Sequence, residues 1–225
     1  MNNRRVVVIV EGQTELTFVR NILAPELGCH GIFMMPSLIG KPGHKGGNVR
    51  FERAVKDIER FLRQESNTFV TTMFDYFRIG HDWPGRNDVR PRFTAAQKAV
   101  VMEDATAIQV ANLCPDLNVP CRFLPYLAMH EFEALLFSEA RTLADGLNVS
   151  ESTIAAILSQ CGEPEEINEG ADSSPSKRIL TLNRYYRKVA MGTSIAERIG
   201  IARMREACPH FNRWLSKLND LQWPN

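Results

Sequence analysis

The chain runs through Arg4 to Val10 with five consecutive β-branched residues, then turns at Glu11-Gly12-Gln13-Thr14-Glu15. A run that apolar cannot keep one face in water, so it reads as a strand buried on both sides. Such a strand needs helices above and below, and the next segment supplies one. Leu16, Val19, Ile22 and Leu23 share a helical face running to about Leu27, with Thr14 placed to cap it. The alternation then repeats. Ile32–Leu38 is a second expected strand, and Asn48 can cap a helix carrying Phe51, Val55, Ile58 and Leu62. Thr68–Phe74 is a third strand, stopping at Asp75, and a polar loop from Arg78 to about Arg92 leads to an Ala-rich helix ending near Leu113. Arg122–Leu127 is a fourth strand, followed by His130-Glu131-Phe132-Glu133-Ala134-Leu135-Leu136. This order predicts an α/β fold: a mainly parallel sheet with helices on both faces.

No convincing strand follows residue 140. Helical patterns recur near 150–160, 176–188 and 195–219. The expected division is an α/β domain over 1–140 and a helical extension over 141–225 packed on it. Tyr185, Tyr186, Trp214 and Trp223 are candidates for stacking on bases. Their spacing with Phe211, Leu215 and Leu218 suits a core better. Arg184, Arg187, Lys188, Arg198, Arg203 and Arg205 make this half locally basic, as a nucleic-acid face or a solvated one.

Ligands of open α/β sheets bind beyond the carboxyl ends of the strands. Those ends here carry Glu11 and Glu15, then Asp75 with Asp82 further on, then His130, Glu131 and Glu133. Carboxylates gathered at one edge repel one another and need a counter-ion, and hard oxygen donors suit Mg²⁺ or Mn²⁺. Each has a bland reading too: a solvated strand end for Glu11, a helix first turn for Glu15, a turn cap for Asp75. Glu131 and Glu133 lie two apart and do not share a helical face.

After the second strand comes Gly40-Lys41-Pro42-Gly43-His44-Lys45-Gly46-Gly47, with four glycines in eight residues. Glycines let backbone N–H groups approach a phosphate, and Lys41, His44 and Lys45 add local positive charge. A surface loop is the plain alternative. The loop lacks the Gly-Lys-Ser/Thr ending of nucleotide-hydrolysing phosphate loops, and no Gly-x-Gly-x-x-Gly, Gly-x-Ser-x-Gly or His-Glu-x-x-His pattern occurs.

Charge seems at first to argue against a nucleic-acid partner. Lys and Arg total 27 and Asp and Glu 26 across 225 residues, a net charge of +1. Position changes that argument, because the sum hides an acidic sheet edge beside basic segments. No apolar run approaches the roughly 20 residues of a membrane span, and Val6–Val10 is too short for a signal peptide. Cys29, Cys114, Cys121, Cys161 and Cys208 form no Cys-x-x-Cys pair, so free thiols in a reducing cytoplasm are expected.

Val10-Glu11-Gly12-Gln13-Thr14-Glu15 after an apolar strand, with an Asp closing a later strand, resembles the Toprim domain, above all its form in the overcoming-lysogenization-defect nucleases. The whole chain resembles a bacterial Toprim-like family of unknown function. The matching stretches are that segment, His44-Lys45-Gly46-Gly47, Met73-Phe74-Asp75-Tyr76, His130 to Leu136, Pro175-Ser176-Lys177-Arg178-Ile179 and Cys208-Pro209-His210-Phe211.

The resemblance implies that Glu11 is a metal ligand or general acid/base, that Glu15 is a ligand for a second metal, and that Asp75 is the first Asp of an Asp-x-Asp pair. The second position of that pair is Phe77, so Asp82, Glu131 or Glu133 would have to stand in. Lys45 or Lys177 could neutralise charge on a scissile phosphate, and Lys177 and Arg178, with the glycine loop, could contact nucleic acid. The expectation is Mg²⁺- or Mn²⁺-dependent cleavage of DNA or RNA, in bacterial antiphage defence, with room for a separate ATPase partner and for an oligomer. Two alternatives stand beside it: a non-catalytic interaction module partnering an ATPase, and an enzyme acting on a small nucleotide.

Overall fold

The computed structural model describes residues 4–40, 49–167 and 173–221. Strand β1 (Arg4–Val10) is followed by α1 (Gln13–Phe18), which runs through a π-helical turn, Val19–Leu23, into α2 (Ala24–Gly28). The Ala24 N–H bonds back to Val19, five residues earlier, at the point where Pro25 has no N–H to give. The cap of α1 is Gly12, with no side-chain hydrogen bond, and not Thr14 as expected. Thr14 is itself helical and buried, so its side chain packs inward instead of capping.

Next come β2 (Ile32–Leu38), α3 (Phe51–Gln64) and β3 (Phe69–Asp75). Arg50 occupies the N-cap of α3, and the expected cap, Asn48, lies outside the described residues. A loop containing a short 3-10 turn at Arg86–Asp88 leads to α4 (Ala95–Leu113), which opens on a reciprocal capping box between Thr94 and Gln97.

The sheet runs β2-β1-β3-β4, every pair parallel. Its fourth strand is not the continuous Arg122–Leu127 expected. Arg122 ends a short helix, α5 (Val119–Arg122), and two fragments follow, β4 (Phe123–Leu124) and β5 (Leu127–Ala128), both pairing with β3. Pro125 between them has no N–H for a ladder. Beside it the Thr72 hydroxyl replaces ladder bonds, accepting from the Tyr126 N–H at 3.0 Å and donating to the Tyr126 carbonyl at 3.0 Å. The buried Arg122 guanidinium donates to the carbonyls of Leu62, Glu65, Leu117 and Thr68 and ties the end of α3 to the start of this strand.

Side chains alternate across a strand, and the two faces of β1 feed two cores. Val7 and Ile9 pack with Ile58 and Leu62 of α3 and Val110 of α4. Val6, Val8 and Val10 pack with α1 and with residues of the C-terminal half. That half comprises a 3-10 segment (Phe132–Ser138), α6 (Ala140–Leu147), α7 (Glu151–Cys161), α8 (Pro175–Leu182), α9 (Lys188–Ile199), α10 (Ile201–Ala207) and α11 (Pro209–Asn219). Ile195, Met204, Phe211 and Trp214 share one core with β1.

Trp214 stacks on Tyr126 at 4.2 Å and donates from Nε1 to Thr71 on β3. Tyr186 is buried as well, so neither ring is open to a base. Tyr185 is exposed, and Trp223 lies outside the described residues. Several of the basic residues are engaged: Arg198 with Asp145, Arg203 with Glu206, and Arg205 with Asn212 and Ser216.

The described cysteines form no disulfide. No helix among the described residues is long and apolar enough to cross a membrane.

Candidate functional site

Strands β1 and β3 are neighbours, with Val10 opposite Met73, so Glu11 and Asp75 emerge together at the carboxyl edge. Glu11 is nearly buried, and its Oε2 has no hydrogen-bond partner. Burial, followed by the negative charges of Asp75 and Glu15, pushes its carboxyl up to about 7, against the pull of Arg78. Arg78 Nε stands 3.6 Å from Glu11 Oε1. Asp75 is raised to about 6, chiefly by burial, although its Oδ1 accepts the Phe77 N–H at 2.8 Å. Glu15 lies in the first turn of α1 and folds back over Gly12, where an added Cβ would meet Glu15 Oε2 at 3.0 Å.

The segment after β5 brings the remaining acids. Glu131 accepts the Ser176 N–H at 3.0 Å, from the first turn of α8. Burial works against its charge, but the bonds from Ser176 and the charge of Lys188 prevail and hold it below the ordinary range. Glu133 is wholly buried, ion-paired to Lys188 Nζ at 2.9 Å and approached by the Tyr186 hydroxyl at 3.4 Å. Glu131 is the N-cap of the Phe132–Ser138 segment and Glu133 lies in its first turn, and the charges of both act on Lys188. Lys188 begins α9, and although burial opposes its charge, Glu133, Glu131 and Glu15 together hold it protonated above its usual range.

Five carboxylates (Glu11, Glu15, Asp75, Glu131 and Glu133) thus act on one another against two cations, Arg78 and Lys188. The cluster is short of positive charge, and an orphaned Glu11 oxygen lies within it. Hard oxygen donors of this kind fit a divalent cation. No three His, Cys, Asp or Glu side chains among the described residues form a ready ligand group.

Other expected residues go elsewhere. Asp82 lines a cavity beside the cluster with Arg50, Phe77, Arg78 and His81. Arg178 donates from Nε to the Ser173 carbonyl, and Lys177 is exposed on the same turn of α8. The Pro175–Ile179 stretch meets the cluster through the backbone and side chain of Ser176. Lys41, His44 and Lys45 lie outside the described residues. His130 is buried, stacked on Phe77 at 5.6 Å, and driven down to about 4 chiefly by burial, so its ring is neutral at pH 7.

Two members, Arg78 and Lys188, are not linked to the carboxylates by the sequence, which marks Lys188 only as one of several basic residues in the C-terminal half. Arg78 follows Asp75 by three residues and could have been found by reading on past the strand end. Lys188 lies 55 positions beyond Glu133, and no spacing rule links them.

Behind the cluster a second polar group is structural. Arg213 can only donate, so the 2.9 Å contact makes His210 Nδ1 an acceptor and puts the ring hydrogen on Nε2. That nitrogen meets the Leu127 carbonyl and Glu103 Oε1, each at 3.0 Å. Glu165 receives the N–H groups of His210 and Phe211 at the start of α11.

No curated protein matches the chain. Among solved structures it is similar to the C-terminal region of the Burkholderia pseudomallei OLD protein, at 15% identity and a TM-score of 0.47, over 98% of both chains. It is also similar to the C-terminal region of the Xanthomonas campestris pv. campestris OLD protein, at 15% identity and a TM-score of 0.37, over 96% of this chain and 99% of that one. The family described as Domain of unknown function (DUF4276) matches residues 10–219, from the last residue of β1 to the last of α11, and the chain belongs to that family.

Proposed function

We propose that the protein is a divalent-metal-dependent enzyme that cleaves phosphodiester bonds in DNA or RNA. The observation that carries this reading is the Glu11–Asp75 pair: two desolvated carboxylates at adjacent strand ends, one with an unpartnered buried oxygen. Glu11 and Asp75 would hold Mg²⁺ or Mn²⁺, with Glu15 and Glu131 beside them. When bound, the ion supplies Lewis-acid polarisation of a phosphoryl oxygen and a lowered pKa for water. Lys188 and Arg78 offer fixed positive charge to the oxygens on which charge builds. Glu133 holds Lys188 in place, and Ser176 holds Glu131 ionised.

In purified protein with Mn²⁺, Glu11→Ala and Asp75→Ala should each abolish cleavage while the circular dichroism spectrum stays that of the parent. Retained cleavage in both variants would sink the assignment. A place in bacterial antiphage defence, in the cytoplasm and beside a separate ATPase, is part of the proposal and rests on the Toprim resemblance.

A second reading, a non-catalytic interaction module, draws support from Phe77 at the second position of the Asp-x-Asp pattern and from the lack of a three-residue ligand group among the described residues. Calorimetric titration with Mn²⁺ separates the two: no heat at millimolar metal favours the module.

A further inference from the structure

Beside the carboxylates lies a cavity of about 650 Å³, lined by Arg50, Phe77, Arg78, Ile79, Gly80, His81 and Asp82. That is the size of a pocket for a small organic ligand. Its lining comes from two places in the fold. Arg50 is the N-cap of α3, and the remaining residues follow the Asp75 strand end. A parallel bridge between Val49 and Ile79 joins the two segments.

Phe77 dominates the lining. Its side chain is large, and 53% of the residue is exposed. Yet the ring does not lie loose. One face stacks on His130 at 5.6 Å with an interplanar angle of 17°. Tyr76 meets it edge-on at 5.1 Å and 88°. Tyr76 is itself held by Arg86, which donates to the Tyr76 carbonyl at 3.0 Å and covers the Tyr76 ring at 4.8 Å. The Phe77 backbone N–H is fixed by the Asp75 carboxylate. An apolar ring is therefore held flat and open, one residue from Tyr76 and two from a site carboxylate.

We propose that this cavity takes an unpaired nucleotide of a single strand, with its base on Phe77. The inference rests on the phosphodiester reading above and narrows its substrate to single-stranded DNA or RNA. A base inside a duplex has both faces covered by its neighbours and offers none to a protein ring, whereas an unpaired base does. Arg78 and Arg50 enter from different segments, which suits two successive phosphates of one strand. Asp82 can only accept hydrogen bonds when ionised, so it suits an exocyclic amino group of the base and keeps phosphates to the arginine side. Arg78 also reaches Glu11, so a phosphate held there lies at the edge of the carboxylate cluster.

The test is fluorescence anisotropy with labelled short oligonucleotides on the full chain, in EDTA and again in Ca²⁺. The arms are single-stranded DNA, single-stranded RNA and the corresponding duplexes. At least one single strand should bind about tenfold tighter than its duplex. Stacking on one aromatic ring is worth about 1–3 kcal/mol per base, so Phe77→Ala should weaken single-strand binding by about 5- to 150-fold and leave duplex binding unchanged. Phe77→Trp should keep the affinity, and its indole emission should fall as the strand saturates the site. Equal binding of duplex and single strand, an unweakened Phe77→Ala, or an indole emission that does not respond would each overturn the inference. Metal-dependent cleavage with equal preference for duplex would remove this inference and leave the phosphodiester reading standing. No nucleic-acid binding in any arm would remove both.

Discussion

Replacing Glu11 by Gln should make the metal-free protein more stable at alkaline pH, by an amount that vanishes in acid. The Glu11 carboxyl is raised from an ordinary 4.5 to about 7 in the folded chain. A carboxyl raised on folding adds stability below its unfolded value, and that stability is lost as pH rises through the folded one. The loss begins near pH 4.5 and is complete a little above pH 7. Each unit is worth about 1.4 kcal/mol, so ionised Glu11 costs on the order of 3 kcal/mol at about pH 8. Its side chain is 11% exposed, so solvent screens little of this. Gln keeps the shape and removes the charge. It also gives up the 3.6 Å contact with Arg78, but that arginine is 56% exposed and the pair contributes little. Urea denaturation in EDTA should show parent and variant equal at about pH 4 and the variant ahead by about 3 kcal/mol at about pH 8. Mn²⁺ should then close the gap by stabilising only the parent. A variant that is equal to or weaker than the parent at alkaline pH would refute the argument that burial and crowding strain this carboxylate.

Two further perturbations probe the supports of the site. Lys188→Met strands the wholly buried Glu133 carboxylate and should destabilise the chain by about 3 kcal/mol; adding Glu133→Gln should restore most of that, whereas additive losses in the double-mutant cycle would count against the pair. Gly192→Ala sets two effects against each other. Alanine is worth about 1 kcal/mol over glycine inside a helix, but its Cβ would stand 2.5 Å from Tyr186 Oη and 3.1 Å from Phe132 Cε1. The clash should win, with a net loss of about 1–2 kcal/mol in thermal or urea unfolding.

The strands of this protein were readable where apolar residues run unbroken. β1 follows its hydrophobic run, because burial on both faces leaves no other use for such residues. β2 forms where expected although Pro36 and Ser37 interrupt its run and Phe33 is exposed, because its backbone pairs with β1 along its whole length. The fourth strand was misread because its run contains Pro125, and the rescue of Tyr126 by Thr72 comes from 54 residues away. Thr14 was misread for a similar reason: the rule for helix caps concerns chemistry, and the packing of Thr14 took precedence. The meeting of Glu11 and Asp75 at one edge was readable because strand ends in parallel sheets converge, and Glu15 comes with them from the first turn of the helix that follows β1. Lys188 was not, since its role depends on how α9 docks against the Phe132–Ser138 segment. Arg178 and Lys177 drew attention by their charge, but Glu131 is held at that place by the side chain and backbone of Ser176 and the side chain of Ser174.

Both margins of the sheet contain a proline: Pro36 within β2, and Pro125 in the gap between β4 and β5. A strand arriving from another molecule would need an unbroken row of N–H and C=O groups to pair with. Pro36 removes one donor from its margin, and Pro125 breaks the other into fragments of two residues. Strand addition is therefore disfavoured at both ends of the sheet. Both margins are thus poor templates for the edge-to-edge pairing that begins aggregation.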